Sequence, residues 1–140
     1  MIPCKDLERS VFQKGSDLNL TCESDIVYFL PCKPGSVYIG VTDDCLNNCL
    51  FCIKRDGPIF FGYNLSLGRK NPETSEIIAS LKNTTNWNAI NEVVFCGMGE
   101  PLLRYDCIKD VCVAIKDLRG TQCKIRVDTS GLFWSNTKRL

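Results

Sequence analysis

The sequence predicts an α/β fold, a parallel sheet of βα units, on three observations. β-branched runs at SVYIGVT (36–42), EVVFC (92–96) and KIRV (124–127) read as strands, the first of them buried. Two stretches with apolar residues at helical spacing lie between them. Strand, helix, strand, helix, strand is the order that builds a parallel sheet through crossover connections. At 140 residues the chain has the length of one domain and can bury a core without disulfide staples. The sequence divides into an N-terminal extension (1–35) and a βα core (36–132) within a single domain, 1–140.

The first 35 residues are mixed in character, with short strands expected at 18–21 and 25–30. PCKPG closes them, and Pro31, Pro34 and Gly35 mark a turn. After the strand at 36–42 comes CLNNCLFC (45–52), then a long loop, KRDGPIFFGYNLSLGRK (54–70), whose Phe60, Phe61 and Tyr63 are expected to pack against the sheet. Asn71-Pro72-Glu73 reads as a helix start with proline at the first helical position, and Ile77, Ile78 and Leu81 supply the apolar face. EVVFC runs directly into GMGEP (97–101). The second helix spans 105–118, with Ile108, Val111, Cys112, Ile115 and Leu118 on its buried face and Gly120 as its stop. KIRV ends in DTSG (128–131), which also has the composition of a cap for a following helix.

Composition excludes several function classes. Seventeen basic residues nearly balance sixteen acidic ones, for a net charge of +1. That gives no electrostatic reason to expect nucleic acid or an anionic membrane as partner. No apolar run reaches transmembrane length, and MIPCKDLERS has no apolar secretory core. A cytoplasmic chain with reduced thiols is the resulting expectation. The absence of histidine removes imidazole-bearing zinc sites, Cys–His and Ser–His catalysis, and the usual neutral-pH proton shuttle.

In parallel α/β folds ligands bind at the carboxyl ends of the strands. The cysteine stretch follows the first strand, GMGE the second and DTSG the third, so three polar or thiol-bearing segments are expected to meet on one edge. Cys45, Cys49 and Cys52 offer three soft thiolates, one fewer than a closed tetrahedral or Cys4 site needs. An iron–sulfur cube held that way keeps one iron open. The spacing also fits a buried helix face, but Asn47, Asn48, Asp43 and Asp44 are poor helix formers. Zinc is the chemical competitor, with a fourth ligand from Cys96 or another cysteine.

These residues carry a family resemblance. Cys45, Cys49 and Cys52, with Phe51 before the third cysteine, resemble the signature of the radical S-adenosylmethionine (SAM) superfamily, and GMGEP resembles its glycine-rich GGE motif. CIKRDG, GYNLSL, NPET, EVVFCGMGEPLLRYD and IRVDTSGL are similar to the TatD-associated radical SAM proteins, relatives of the glycyl-radical activating enzymes. The resemblance implies a sheet like the N-terminal half of a partial (βα)6 TIM-like barrel. It implies a [4Fe–4S] cluster on the three cysteines, with the amino and carboxylate groups of S-adenosylmethionine on the open iron. The activity implied is reductive cleavage to a 5′-deoxyadenosyl radical that abstracts hydrogen from a substrate, with an electron donor such as flavodoxin or ferredoxin.

On the same resemblance Gly97, Met98 and Gly99 line the cofactor, Glu100 pairs with the methionine ammonium, Phe51 lies near the adenine, and Asp128, Thr129 and Ser130 face the ribose. DTSG stands where many such proteins have threonine-asparagine-glycine, and the later strands of a partial barrel are not in the sequence. A minimal enzyme, half of a split enzyme needing a second chain or self-association at the sheet edge, and a non-catalytic iron–sulfur or zinc module all fit that length. Cys4, Cys22 and Cys32 remain open as auxiliary ligands, whereas Cys107 and Cys112 fit the helix core.

Overall fold

A computed structural model describes residues 26–131 apart from 31, 32, 61, 62 and 85. Its strands are β1 (Val27–Tyr28), β2 (Ser36–Gly40), β3 (Ile59–Phe60), β4 (Tyr63–Asn64), β5 (Glu92–Cys96) and β6 (Lys124–Val127). Helices α1 (Thr74–Lys82) and α2 (Tyr105–Arg119) supply the crossovers. The strand expected at 18–21, together with Cys4, Cys22, Cys32 and Phe61, lies outside the described residues, as do the side chains of Phe60 and Tyr63.

The main sheet has the order β1-β2-β5-β6. β2 and β5 are parallel, with Val37 opposite Val93, and β5 and β6 are parallel, with Val93 opposite Ile125. The parallel portion is therefore made by the three strands expected from sequence. β1 falls within the stretch read as an N-terminal extension and pairs antiparallel with β2, Tyr28 opposite Tyr38. The fold is thus α/β with a mostly parallel, open four-stranded sheet, and β6 is its far edge among the described residues.

Because side chains alternate along a strand, each sheet face has its own core. Val37, Ile39, Val93 and Phe95 face the helices and pack with Ile77 and Leu81 of α1 and Ile108, Val111 and Ile115 of α2. On the opposite face Tyr38 and Val94 join Tyr28, Leu30, Leu65 and Met98. Tyr28 and Tyr38 stack there with ring centroids 5.5 Å apart. In a closed barrel this second face would be the interior.

Four elements differ from expectation. The first strand stops at Gly40, with Val41 and Thr42 still buried beyond it. Helix α1 begins at Thr74 rather than Pro72, because Glu73 and Glu76 form a reciprocal capping box that fixes the start. Leu118 is 38% exposed, so the buried face of α2 ends at Ile115. The loop after the cysteines contains the β3–β4 hairpin, whose two-residue strands are too short to show a period in sequence. Gly120 does end α2, with a φ of 61° that a β-carbon would resist. No helix among the described residues is long and apolar enough to cross a membrane.

Candidate functional site

Each parallel strand delivers its following segment to the same edge, and the backbone ties these segments together. After β2, residues 43–52 form an irregular loop rather than a helix, so the cysteine spacing does not make a buried helical stripe. After β5, the Glu100 amide donates to the Asp44 carbonyl at 2.8 Å. Gly99 packs so closely on the first loop that a β-carbon there would sit 2.3 Å from the Thr42 carbonyl oxygen. Gly97 has a φ of 122°, a conformation that favours glycine.

The third segment joins through side chains. Glu100 is only 3% exposed. Its carboxylate accepts from Thr129 Oγ1 at 2.5 Å, from Ser130 N at 2.9 Å and Oγ at 2.8 Å, and from the Leu102 amide at 3.1 Å. Burial pushes this carboxyl up, but these donors outweigh it and hold it below the ordinary glutamate range. Asn47 in the cysteine loop donates to Ser130 Oγ at 2.6 Å. The convergence inferred from strand order is thus present as a continuous set of hydrogen bonds, although Glu100, Thr129 and Ser130 engage one another.

The cysteine loop is braced from below. Arg55 donates to the Cys49 carbonyl at 2.9 Å and to Asn48 Oδ1 at 3.0 Å, and Lys54 donates to the Asp43 carbonyl. Asp43 Oδ2 accepts from Ser66 Oγ at 2.7 Å and from the Leu67 amide at 2.9 Å, which staples the segment after β4 to the loop. Asp43, Asn47 and Arg55 brace the candidate site through hydrogen bonds that sequence reasoning missed. Their partners are distant or main-chain atoms, and no motif signals them.

Cys45 is exposed, while Cys49 and Cys52 are half-buried, and all three are free thiols. Among the described residues no three Cys, Asp or Glu side chains gather closely enough to hold a metal ion. The donor set nevertheless fits a thiolate cluster in type and place: three reduced sulfurs lie on one loop, and the chain has no imidazole to compete with them. Closing them around a cluster would be part of binding, as is usual when metal and local structure form together. The same loop exposes Leu46, Leu50 and Phe51 by 65%, 85% and 89%, an apolar tip without a core of its own. Phe51 is therefore not a core residue.

An open cavity of about 520 Å³ lies between this loop and the inner sheet face, walled by Phe51, Tyr28, Tyr38, Cys96, Gly97 and Asp128. Phe51, Gly97 and Asp128 of the expected cofactor set reach it. Met98 is instead buried, 7% exposed, in the apolar cluster beneath. Asp128 pairs with Arg126 at 3.5 Å.

Cys96 Sγ lies 3.1 Å from the Tyr28 hydroxyl. Burial pushes the Cys96 thiol up to about 11, so in the metal-free protein it is protonated at neutral pH. At pH 8 about a thousandth of it is thiolate, and the thiolate is the nucleophile. Iodoacetamide on the native, metal-free protein is expected to label Cys45 and spare Cys96 at pH 8, with Cys96 labelling rising as pH approaches 11. Peptide mass spectrometry reads this directly, and equal labelling rates at pH 8 would contradict the burial argument.

No protein-family model and no solved structure matches the chain. It is similar to the "Dual-specificity RNA methyltransferase RlmN" of Bradyrhizobium sp. (strain BTAi1 / ATCC BAA-1182), 26% identical over 89% of this chain and 32% of that protein. It is 28% identical to the protein of the same name from Rhodopseudomonas palustris (strain TIE-1), over 89% of this chain and 33% of that one. It is also similar to the "GTP 3',8-cyclase" of Limosilactobacillus fermentum (strain NBRC 3956 / LMG 18251), 32% identical over 69% of this chain and 26% of the relative. The chain spans about a third of the length of the curated relatives it matches. These similarities support the radical SAM superfamily at a coarse level.

Proposed function

We propose that this chain is a radical SAM protein that binds a [4Fe–4S] cluster on Cys45, Cys49 and Cys52, with S-adenosylmethionine beside it. When bound, these groups supply one-electron cleavage of the sulfonium bond, giving methionine and a 5′-deoxyadenosyl radical that takes hydrogen from a substrate. The observation that carries the reading is the hydrogen-bonded union of a three-cysteine loop with GMGE and DTSG at one sheet edge. Within the superfamily, kinship to the TatD-associated proteins rests on the segments quoted from the sequence.

The roles of the chain's own residues follow from the site. The three cysteines hold the cluster as thiolates. Gly97 allows close approach of backbone to ligand at the cavity, Gly99 lets the GMGE turn pack on the cysteine loop, and Phe51 offers a flat apolar wall over the cavity. Asp128 is the carboxylate at the cavity available to hydroxyl or ammonium groups. Methylation of RNA and cyclisation of GTP are activities of proteins about three times as long, and neither is carried over. Flavodoxin or ferredoxin would suit as electron donor. The β6 edge, unpaired among the described residues, favours a second chain or self-association that completes the sheet.

Electron paramagnetic resonance on anaerobically reconstituted, reduced protein tests the reading. A [4Fe–4S]⁺ signal that shifts on adding S-adenosylmethionine is the expected result, because an open iron accepts the ligand. A protein that takes up zinc in place of iron, or whose iron signal ignores the ligand, is a non-catalytic metal module.

A further inference from the structure

Both oxygens of Glu100 are occupied from within the protein. Oε1 accepts from the Leu102 amide and Thr129 Oγ1, and Oε2 from the amide and hydroxyl of Ser130. An ionised carboxylate has about four acceptor positions, so a ligand ammonium would have to displace an internal bond to reach it. The chain of contacts continues outward. Ser130 Oγ, donating to Glu100, accepts from Asn47 Nδ2 at 2.6 Å. The Asn47 backbone amide in turn donates to Cys45 Sγ at 3.4 Å. A buried anion on the second strand end is therefore connected through two side chains to the first sulfur of the cysteine loop.

We propose that Glu100, Ser130 and Asn47 form a positioning strut that sets the cysteine loop and aims the Asn47 amide at Cys45, and that Glu100 is not a ligand contact. The functional half of this inference rests on reading the loop as the cluster site. Two consequences are separable. Mechanically, the strut restrains residues 45–52 in the metal-free protein. Electronically, an N–H donor at a ligand sulfur stabilises the more negative, reduced cluster and so raises its potential.

Hydrogen exchange on the metal-free protein reads the first consequence, and redox titration of the loaded protein reads the second. Asn47→Ala removes an exposed contact and leaves the core untouched, so it folds even where Glu100→Gln fails. Asn47→Ala and Ser130→Ala are each expected to speed exchange at residues 45–52 about fivefold, the loss of one net hydrogen bond. The double variant should be no faster than the worse single one, because both break the same connection. In loaded protein both variants keep their iron and shift the midpoint potential to more negative values. Unchanged exchange and potential in both variants overturn the strut. So does a Glu100→Gln protein that loses S-adenosylmethionine binding while Ser130→Ala retains it, since Glu100 would then contact the ligand. Failure of the wild-type protein to load iron overturns the cluster reading instead and leaves the exchange result standing.

Discussion

Alanine at any one of Cys45, Cys49 or Cys52 abolishes iron incorporation, whereas alanine at Cys107 or Cys96 leaves it intact. The first three are the only thiols on the loop where the strand ends meet, and they make up its whole soft-donor set. Two thiolates cannot hold a cube that already lacks a fourth protein ligand. Cys107 is buried against α1 and the helix side of the sheet, so its loss costs packing, about 1 kcal/mol or more, and no ligand. Cys96 separates iron–sulfur from zinc chemistry, since a zinc site using it as fourth ligand would lose its metal in Cys96→Ala. Iron and zinc quantification on reconstituted variants gives the answer. A full cluster in Cys49→Ala would sink the assignment.

The second large effect is structural. Alanine at Gly99 would place a β-carbon 2.3 Å from the Thr42 carbonyl oxygen, 2.6 Å from that of Asp44 and 2.8 Å from the Thr42 carbonyl carbon. All three obstacles are backbone, and the adjoining Glu100 amide donates to that same Asp44 carbonyl. Neither segment can yield without breaking the junction of the two strand ends, so the cost lies at or beyond the upper end of overpacking, about 3 kcal/mol. Gly97→Ala is a graded comparison. Its β-carbon meets nothing nearer than the Gly40 Cα at 3.5 Å, and its cost is the backbone strain of positive φ, about 1–2 kcal/mol. Urea denaturation is expected to rank Gly99→Ala well below Gly97→Ala, with both below wild type. A Gly99→Ala midpoint equal to wild type would mean the two loops do not pack as described.

Strands β5 and β6 were legible to the residue because their pattern is set by burial, which sequence records directly. EVVFC and KIRV alternate between the two sheet faces, and the loop positions followed from the topology of parallel connections. The α1 start was misplaced because Pro72 satisfies one rule for helix entry while the Glu73–Glu76 capping box satisfies a stronger one. The hydrogen-bond partners of Glu100 could not be read at all. Its partners lie 29 and 30 residues later, and spacing alone does not say which hydroxyl meets which carboxylate. The same holds for Tyr28 and Cys96, 68 residues apart. A motif shows where a residue stands on the edge, while its bonding depends on what the other strands bring there.

The pairing of β2 with β5 also governs the order of assembly. Ser36 meets Glu92 across 56 residues of chain, while β5 reaches β6 through α2 alone. Longer closures cost more entropy, and non-local parallel pairing forms slowly. The β5–α2–β6 unit is therefore expected to fold first, with β2 docking onto it later. The cysteine stretch lies inside the long excursion, so its three thiols are accessible before that closure, and Cys45 stays exposed after it. On the cluster reading proposed above, metal delivery and thiol oxidation would compete for these thiols from the nascent chain onward.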